Sequence, residues 1–303
     1  MQLLKNRILV TGAYGLLGSN LLELSIGNYT LYGMARALRP DVNMPGIEYI
    51  EGDIVDRKRV LDVIKAVQPN VIINAAAYTN VDGSEDDREA CWKTNVDGVA
   101  NLAYAAKLID ARLVHVSTDY VFDGTKKSPY KEDDRVNPLG FYAKSKLAGE
   151  NALIAAGANA AIARTMILYG KSKSSGLNFV TWVIEQLRSN KPIRIVDDQV
   201  GQPTLASELA EALIKLALSD CDGIFHISGS EALSRYDFTL EIADLFGLDK
   251  SLISRTTTEA LQQKAPRPMH SEFDLSRLQA ELGVTMSGAW AGLQKFKARY
   301  PLI

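Results

Sequence analysis

The sequence predicts an α/β fold with a doubly wound parallel sheet, and three observations lead to this prediction. Short apolar runs alternate with amphipathic helical stretches through the first half of the chain, which is the order of βαβ units. A glycine-rich turn at residues 12–18 directly follows the first apolar run, as in dinucleotide-binding folds. The 303 residues suffice for one large domain or for two that share a cleft. We therefore expect a Rossmann-type sheet with a smaller C-terminal α/β part that binds the substrate.

Six apolar runs of the first half are predicted to be strands, and they cover residues 7–12, 30–34, 47–53, 71–77, 112–118 and 160–165. Asp56 is the expected N-cap of a helix between the third and fourth strands. The apolar residues of that helix recur at the spacing of one helical face: Val60, Val63, Ile64 and Val67. Residues 84–108 are predicted to form one long helix, opened by Ser84 and Asp87 as a variant of the capping box.

The second half of the chain is less regular. Apolar residues in 179–187 follow a helical stripe, and Ser207 is the expected cap of a further helix. Residues 223–229 are predicted to form a strand. Residues 234–246 are predicted to form a helix that ends at Gly247, a residue type that favours the turn after a helix.

Composition excludes several classes of partner and ligand. Lys plus Arg total 34 and Asp plus Glu total 36, so no basic excess exists to bind nucleic acid or an anionic membrane. The two cysteines fit no metal or redox spacing, and we expect reduced thiols and no metal site. The beginning of the sequence runs straight into a strand-like segment without the features of a signal peptide. We expect a cytoplasmic protein.

The turn after the first strand carries Gly12, Gly15 and Gly18. The first glycine allows a sharp turn, the second allows close approach of a pyrophosphate, and the third lets the helix pack against the strand. The helix N-terminus then presents free N–H groups to the anion. The spacing is GxxGxxG, and the alternative is a glycine-rich turn that binds nothing.

Cofactor preference is determined near the end of the second strand, where NAD-specific sites carry an Asp or Glu. Here Arg36 and Arg39 occupy this segment, and a guanidinium suits the 2′-phosphate of NADPH. The alternative is that both arginines are merely solvated, and NADH remains open as a cofactor. Asp53 and Ile54, after the third strand, are expected to border the adenine.

The expected catalytic groups are Thr118, Tyr142 and Lys146. Tyr142 and Lys146 lie four residues apart at the start of a predicted helix, so they share one face. An ammonium beside a phenol lowers the pKa of the phenol and prepares it for proton transfer. Thr118 ends the fifth strand, where it can hydrogen-bond a substrate carbonyl. A second Tyr-xxx-Lys pair, Tyr169 and Lys173, lies in a loop-like composition and is discounted.

These residues resemble the extended short-chain reductases typified by dTDP-4-dehydrorhamnose reductase. The resemblance rests on segments that run in family order: TGAYGLLGSNL, GDIVD, NAAAYTNVDGSE, KTNVDGVANLA, HVSTDYVFDG, PYKEDDRVNPLGFYAKSKLAGE, ART, NFV, DDQVGQPT and PRP. It implies an NADP(H)-binding domain at residues 1–165 and a substrate-binding part at residues 166–303. We expect the segment near 191–205 to return to the Rossmann sheet.

The resemblance also implies site residues beyond those already named. Further residues expected to bind NADPH are Tyr14, Leu16, Ala75, Ala77, Tyr78, Thr79 and Asn95, together with Tyr142 and Lys146. Residues expected to bind a nucleotide-sugar substrate are Thr118, Asp119, Tyr120, Ile167 and Arg267. A homodimer stays open as a further partner.

The chain departs from the family pattern at Ile167, where RTxWxY would place a Trp against the sugar ring. The RxxILYG form resembles a sister branch that includes the regulatory β subunit of methionine adenosyltransferase. The main hypothesis is therefore reduction of a dTDP-linked 4-keto-6-deoxy sugar in rhamnose biosynthesis. Two alternatives remain: a different nucleotide-linked keto-sugar, or a regulatory protein that binds NADP without catalysis.

Overall fold

The computed structural model describes residues 6–174 and 176–300. The strands are β1 Arg7–Thr11, β2 Thr30–Ala35, β3 Ile47–Glu51, β4 Val71–Asn74, β5 Arg112–Thr118, β6 Ala160–Thr165, β7 Leu168–Tyr169, β8 Ile193–Val196, β9 Val200–Gly201, β10 Thr204–Leu205, β11 Gly223–His226, β12 Leu233–Ser234 and β13 Ile253–Thr256. The helices are α1 Leu16–Ser25, α2 Arg57–Val67, α3 Arg88–Trp92, α4 Gly98–Leu108, α5 Phe141–Ala156, α6 Phe179–Arg188, α7 Ala206–Ala217, α8 Arg235–Phe246, α9 Thr258–Leu261, α10 Ser276–Leu282 and α11 Ala289–Arg299.

The central sheet has seven strands in the order β11-β6-β5-β4-β1-β2-β3, and every neighbouring pair is parallel. Its strands are buried on both faces, because successive side chains of a strand point to opposite sides. In β1, Ile8 and Val10 join the core beneath α1 and α7, whereas Leu9 joins the core beneath α2 and α4. The predicted doubly wound Rossmann sheet is confirmed.

The predicted helix after the third strand is α2, and its capping is as expected. Asp56 accepts a hydrogen bond from the Arg59 backbone N–H at 2.9 Å. The four apolar residues of the predicted stripe are buried: Val60, Val63, Ile64 and Val67. Ser234 likewise caps α8, and Gly247 ends it with a positive φ of 65°.

The prediction that the segment near 191–205 returns to the Rossmann sheet is wrong. β8 pairs with β13 in a separate two-stranded sheet, while β9 and β10 pair with β12 and β7. The seventh strand of the large sheet is β11, which pairs with β6. The physical reason is that α7 packs beside α1 on one face of the sheet and so delivers β11, in parallel, to the free edge of β6.

The helix predicted for residues 84–108 begins four residues later than expected, at Arg88, and contains a π-helical stretch. Ser84 lies in a short 3-10 turn, and the helix proper begins after Asp87, whose side chain accepts from the Ala90 N–H at 3.3 Å. A π-helical segment, Lys93–Asp97, then separates α3 from α4. This wider turn contains Asn95, whose buried side chain bonds other parts of the site.

Ser207 does not cap α7. The helix begins at Ala206, directly after the β10 residue Leu205, which provides no side-chain hydrogen bond. The strand pairing of β10 therefore determines where this helix begins. No helix in the described ranges is long and apolar enough to cross a membrane.

A third core lies in the C-terminal part, between α6, α8 and α11. Its buried members include Val183 of α6, Ile242 of α8 and Phe296 of α11. Ile193 and Ile195 of β8 face the same core. This burial is why β8 is held among these helices and not at the edge of the large sheet.

Candidate active site

A cavity of about 610 Å³ opens where the strands of the large sheet end. Its wall is built from the residues that follow β1, β2, β3, β4, β5 and β6, together with α5 and the first residue of α8. The carboxyl ends of parallel strands meet at one edge, which is where α/β folds bind ligands. The predicted residues that line this cavity are Gly12, Tyr14, Gly15, Leu16, Arg36, Asp53, Ile54, Ala75, Ala77, Tyr78, Thr79, Thr118, Asp119, Tyr120, Tyr142, Lys146 and Ile167.

The glycine turn forms a cradle that side chains would fill. Gly12 has a positive φ of 69°, and a Cβ there would lie 2.8 Å from the Ala75 carbonyl oxygen. A Cβ on Gly18 would lie 2.2 Å from the Gly12 carbonyl oxygen, so Gly18 permits close helix packing without lining the cavity. Gly15 is the N-cap of α1 and offers no side-chain cap. The free N–H groups of that first turn fit the pyrophosphate of a dinucleotide.

The two arginines after β2 lie in different places. Arg36 lines the cavity, whereas Arg39 points away and donates from Nη1 to the Ser174 carbonyl at 2.8 Å. The Arg39 backbone N–H donates to the Tyr14 hydroxyl at 3.0 Å. Arg39 therefore holds the turn beside Tyr14, and Arg36 is the cation available to a ligand.

Asn95 was predicted to bind cofactor, but it does not line the cavity. Its amide oxygen accepts from the Tyr78 backbone N–H at 2.9 Å, and its Nδ2 donates to Ser145 Oγ at 2.9 Å. It also donates to the Tyr78 carbonyl at 3.2 Å. Asn95 thus ties the loop after β4 to the helix that carries Tyr142, and it acts on the site through Tyr78.

Thr118, Tyr142 and Lys146, the residues predicted to be catalytic, line the same cavity. Tyr142 hydrogen-bonds Thr118, and the Thr118 hydroxyl donates to Asp119 Oδ1 at 3.0 Å. Lys146 is 2% exposed and its Nζ donates to the Val116 carbonyl at 2.7 Å. Helix α5 positions Tyr142 and Lys146 on one face, and the end of β5 positions Thr118 and Asp119.

Burial determines the proton affinities of these groups. It raises the pKa of the Tyr142 phenol, and the hydrogen bond between Tyr142 and Thr118 opposes this only in part. It lowers the pKa of Lys146 to about 8, against the opposing field of Glu150. The sequence predicts that Lys146 lowers the pKa of Tyr142. In the structure Lys146 donates to the Val116 carbonyl instead, and burial is the largest influence on the pKa of Tyr142.

His115 lies below Lys146 in a buried polar chain. Asn74 Oδ1 accepts from Thr11 Oγ1 at 2.6 Å and from the Ala76 backbone N–H at 3.2 Å, so its amide nitrogen faces His115 Nδ1 at 3.0 Å. Nδ1 is then the acceptor, and the neutral ring carries its proton on Nε2, 3.5 Å from Lys146 Nζ. Burial and the neighbouring Lys146 hold the pKa of His115 well below its usual value. The structural role predicted for His115 therefore includes contact with Lys146, one of the predicted catalytic residues.

The predicted substrate residues divide into two groups. Asp119, Tyr120 and Ile167 line the cavity with Thr118, whereas Arg267 does not. Arg267 instead forms a two-pronged ion pair with Asp82, at 3.0 and 2.9 Å, and hydrogen-bonds Tyr120. It therefore reaches the site through Tyr120, whose ring meets that of Tyr142 edge-on at 5.9 Å.

Ile167 has a positive φ of 45°, a left-handed conformation that a β-branched residue adopts only under strain. Its neighbour Thr165 lines the cavity with Ser117, and the hydroxyl oxygen of each is buried without a hydrogen-bond partner in the described structure. Unsatisfied buried hydroxyls of this kind are suited to a polar ligand.

Arg235 also lines the cavity, and sequence reasoning missed it. It is the first residue of α8, and in the sequence it appeared only as an interior position of the helix predicted from Ser234 to Phe246. A signal was present, since a basic residue directly after a helix N-cap lacks the acidic character that first turns favour.

The fold and this site together define a reductase of the extended short-chain dehydrogenase/reductase class. A parallel sheet carries the glycine turn at its carboxyl edge, and the Thr–Tyr–Lys set meets that turn across one cavity. More narrowly, the chain belongs to the family described as the RmlD substrate binding domain, whose model matches residues 6–300.

Three similar proteins support this assignment. The chain is 35% identical to dTDP-4-dehydrorhamnose reductase of Aggregatibacter actinomycetemcomitans, over 96% of this chain and 98% of that protein. It is also 35% identical to methionine adenosyltransferase 2 subunit beta of Bos taurus, over 92% of this chain and 83% of that one. The crystal structure of dTDP-4-dehydrorhamnose reductase from Bacillus anthracis, in complex with NADP, aligns with a TM-score of 0.86 at 31% identity, covering 98% of this chain and 100% of that one.

Proposed function

We propose that the chain uses NADPH to reduce the C4 ketone of dTDP-4-dehydro-6-deoxy-L-mannose, as a dTDP-4-dehydrorhamnose reductase. The observation that carries the proposal is the convergence of Thr118, Tyr142 and Lys146 on the cavity that also holds the glycine turn. The relative from Aggregatibacter supports the substrate, and the NADP complex of the Bacillus anthracis protein supports the cofactor.

The residues present fit NADPH. The turn from Gly12 to Leu16 would hold the pyrophosphate, Arg36 the 2′-phosphate, and the wall formed by Asp53 and Ile54 the adenine. Ala77 and Tyr78 would border the nicotinamide half. When bound, this cofactor supplies a hydride to the ketone carbon.

Tyr142 and Thr118 would hold the ketone oxygen. The Tyr142 phenol, neutral because burial raises its pKa, donates its proton to that oxygen as negative charge develops there. Thr118 would give a second hydrogen bond to the oxygen by turning its hydroxyl proton from Asp119 Oδ1 to the substrate. Lys146 is held at the Val116 carbonyl and would bind the ribose hydroxyls beside Tyr142.

The test is oxidation of NADPH by purified protein with dTDP-4-dehydro-6-deoxy-L-mannose, beside a panel of nucleotide-linked 4-keto-sugars. We expect stereospecific turnover with the first. Turnover with a different sugar only would transfer the assignment to that sugar.

A regulatory protein is the second candidate, and the similarity to subunit beta of methionine adenosyltransferase 2 favours it. It predicts NADPH binding with no turnover of any keto-sugar. The intact catalytic set argues for the reductase, because a purely regulatory role places no demand on a buried phenol beside Thr118.

We also propose that residues 1–165, with α7 and β11 added to their sheet, hold the cofactor, and that most of residues 166–303 hold the sugar nucleotide. The chain is proposed to act in the cytoplasm, where its two free thiols would stay reduced. A homodimer stays a prediction, which sedimentation equilibrium would test.

A further inference from the structure

We propose that Arg235 binds the diphosphate of the nucleotide-sugar substrate and so contributes to substrate specificity. The proposal rests on the proposed function, because it takes the substrate to be a nucleotide diphosphate sugar. Arg235 is neither one of the predicted catalytic residues nor one of the residues predicted from the sequence to bind the substrate.

The backbone around Arg235 fixes the direction of its side chain. Arg235 is the first residue of α8, whose N-cap Ser234 accepts from the Asp237 N–H at 2.9 Å. The Arg235 N–H itself donates to the Gln199 carbonyl at 3.0 Å. The guanidinium carbon then lies 5.2 Å from the centre of the Phe179 ring, an aromatic face that holds the cation at the cavity wall.

The Arg235 guanidinium has no carboxylate partner. Within residues 6–174 and 176–300 it forms no ion pair within 4.0 Å, although burial lowers its pKa. The other arginines withdrawn from solvent near the site are neutralised: Arg164 pairs with Glu150 at 2.7 Å, and Arg267 pairs with Asp82. Arg235 is half-buried at the cavity wall, and a partly buried cation without a counter-ion in the described residues is a group that an anionic ligand would stabilise.

Asp119, the carboxyl group of the cavity wall that interacts electrostatically with Arg235, already has hydrogen-bond partners. Asp119 accepts from Ser271 Oγ at 2.7 Å through Oδ2 and from Thr118 through Oδ1. The negative charge of Asp119 stabilises the Arg235 cation at a distance, without a hydrogen bond or ion pair between the two side chains in the described structure. The guanidinium fork therefore remains free to bind two oxygens of one phosphate.

The anion that Arg235 would meet differs from the phosphates of the cofactor. The groups that suit those phosphates are the turn after β1 and Arg36 after β2. Arg235 comes from the C-terminal half, and its electrostatic neighbours are Asp119, Tyr120 and Arg267, on the side of the catalytic Tyr142. A ligand whose ketone lies at Tyr142 and whose diphosphate extends toward Arg235 satisfies both groups.

The experiment measures binding of dTDP and of thymidine to the NADPH-loaded protein by isothermal titration calorimetry. We expect Arg235→Gln to weaken dTDP binding by about ten-fold to one-hundred-fold, the range for loss of a charge-assisted hydrogen bond. Thymidine affinity should stay unchanged, and Arg235→Lys should recover part of the dTDP affinity. NADPH affinity and melting temperature verify that each variant is folded.

Arg255→Gln is the matched control, since Arg255 belongs to the same half of the chain but is 62% exposed and lies outside the cavity. Equal dTDP affinity in wild type and Arg235→Gln would overturn the proposal, as would an equal loss of thymidine affinity. Failure of the reductase assignment is a separate result, namely no turnover of any keto-sugar while dTDP binding still depends on Arg235.

Discussion

Tyr142, Thr118 and Asp119 form a short hydrogen-bonded chain at the wall of the cavity. Burial raises the pKa of the Tyr142 phenol, and the hydrogen bond with Thr118 offsets this only in part, so the phenol stays protonated. At the scale of single residues, burial therefore determines that Tyr142 is a proton donor.

Tyr142→Phe removes the proton donor and keeps the ring. We expect turnover to fall by about a hundred-fold or more, since positioned proton transfer contributes at least that much. NADPH affinity, measured by fluorescence titration, should stay near that of the wild type. Tyr169→Phe is the control, because Tyr169 is buried outside the cavity. Wild-type turnover in Tyr142→Phe would show that another group supplies the proton.

Ile167→Trp restores the flat aromatic face that the family pattern places at this position. We expect the KM for the rhamnose precursor to fall a few-fold to about ten-fold, because aromatic packing adds about 0.5–1.5 kcal/mol. Trp also lacks the branched Cβ that strains Ile167 at a φ of 45°. A rise in KM for this sugar would instead indicate a pocket shaped for a different keto-sugar.

At the scale of secondary-structure elements, helix α5 positions more residues of the site than any single residue contact does. It carries Tyr142 and Lys146 toward the cavity and, one turn later, Glu150 toward β6. Glu150 forms a two-pronged, buried ion pair with Arg164, at 3.0 and 2.7 Å. The side chains are 1% and 3% exposed, so the pair fixes the helix against the sheet without solvent competition.

Glu150→Ala leaves the Arg164 cation buried without a partner. We expect the free energy of unfolding to fall by about 3–5 kcal/mol, the usual cost of breaking a buried pair from one side. Urea denaturation followed by circular dichroism measures this change. Asp62→Ala, which breaks the exposed pair with Lys58, should change stability little. A small effect of Glu150→Ala would mean that Arg164 finds water or another acceptor.

We predict that cofactor preference depends on Arg36, one of the two arginines after β2. Arg36→Ala should weaken NADPH binding by about ten-fold or more and leave NADH binding unchanged, because Arg36 lines the cavity. Arg39→Ala is the matched control, and its effect should be smaller and similar for both cofactors, since Arg39 bonds Ser174. Equal affinity of the unmodified protein for NADPH and NADH would contradict this assignment.

At the scale of the whole molecule, the two halves of the sequence are interleaved around one cavity. The second half returns α7 and β11 to the large sheet, and it also supplies Arg235 to the cavity wall. Ser271 of the second half bonds Asp119 of the first at 2.7 Å. Because Asp119 is buried between the halves, its proton affinity is coupled to folding of the whole chain.

The stability of the protein should depend on pH through Asp119. Burial raises the pKa of Asp119 from 3.8 to about 6 in the folded state, so the folded state holds a proton that the unfolded chain releases. This contribution is favourable below pH 4 and is lost as the pH rises through 6, at a cost of up to about 3 kcal/mol at pH 7.

Asp119→Asn removes this titration. We expect the stability of the variant relative to the wild type to be greater at pH 7 than at pH 4, as measured by urea denaturation at both values. The control is Asp133→Asn, because Asp133 is exposed. A pH-independent difference between Asp119→Asn and the wild type would exclude a shifted pKa at Asp119.

The sequence alone determined the fold class, the six strands of the first half and the glycine turn, and it predicted the catalytic set. These features are local: strand period, helix period and the position of Gly12 or Tyr142 in them are read from near neighbours along the chain. The Asp56 cap and the Gly247 helix end are of the same kind, because each depends on backbone groups within a few residues. The family motifs added the cofactor and the substrate class.

Only the tertiary structure decided which edge the seventh strand joins, where the helix predicted at 84–108 widens into its π-helical stretch, and which arginine faces the cavity. Each outcome depends on groups far apart in sequence: β6 accepts β11, Asn95 bonds Ser145, and Ser174 captures Arg39. Arg235 could be recognised only from the structure for the same reason, because the absence of a counter-ion within the described residues depends on all the groups that pack around it. Local patterns carry no information about such partners, because distant contacts are selected by packing and by satisfaction of buried polar groups.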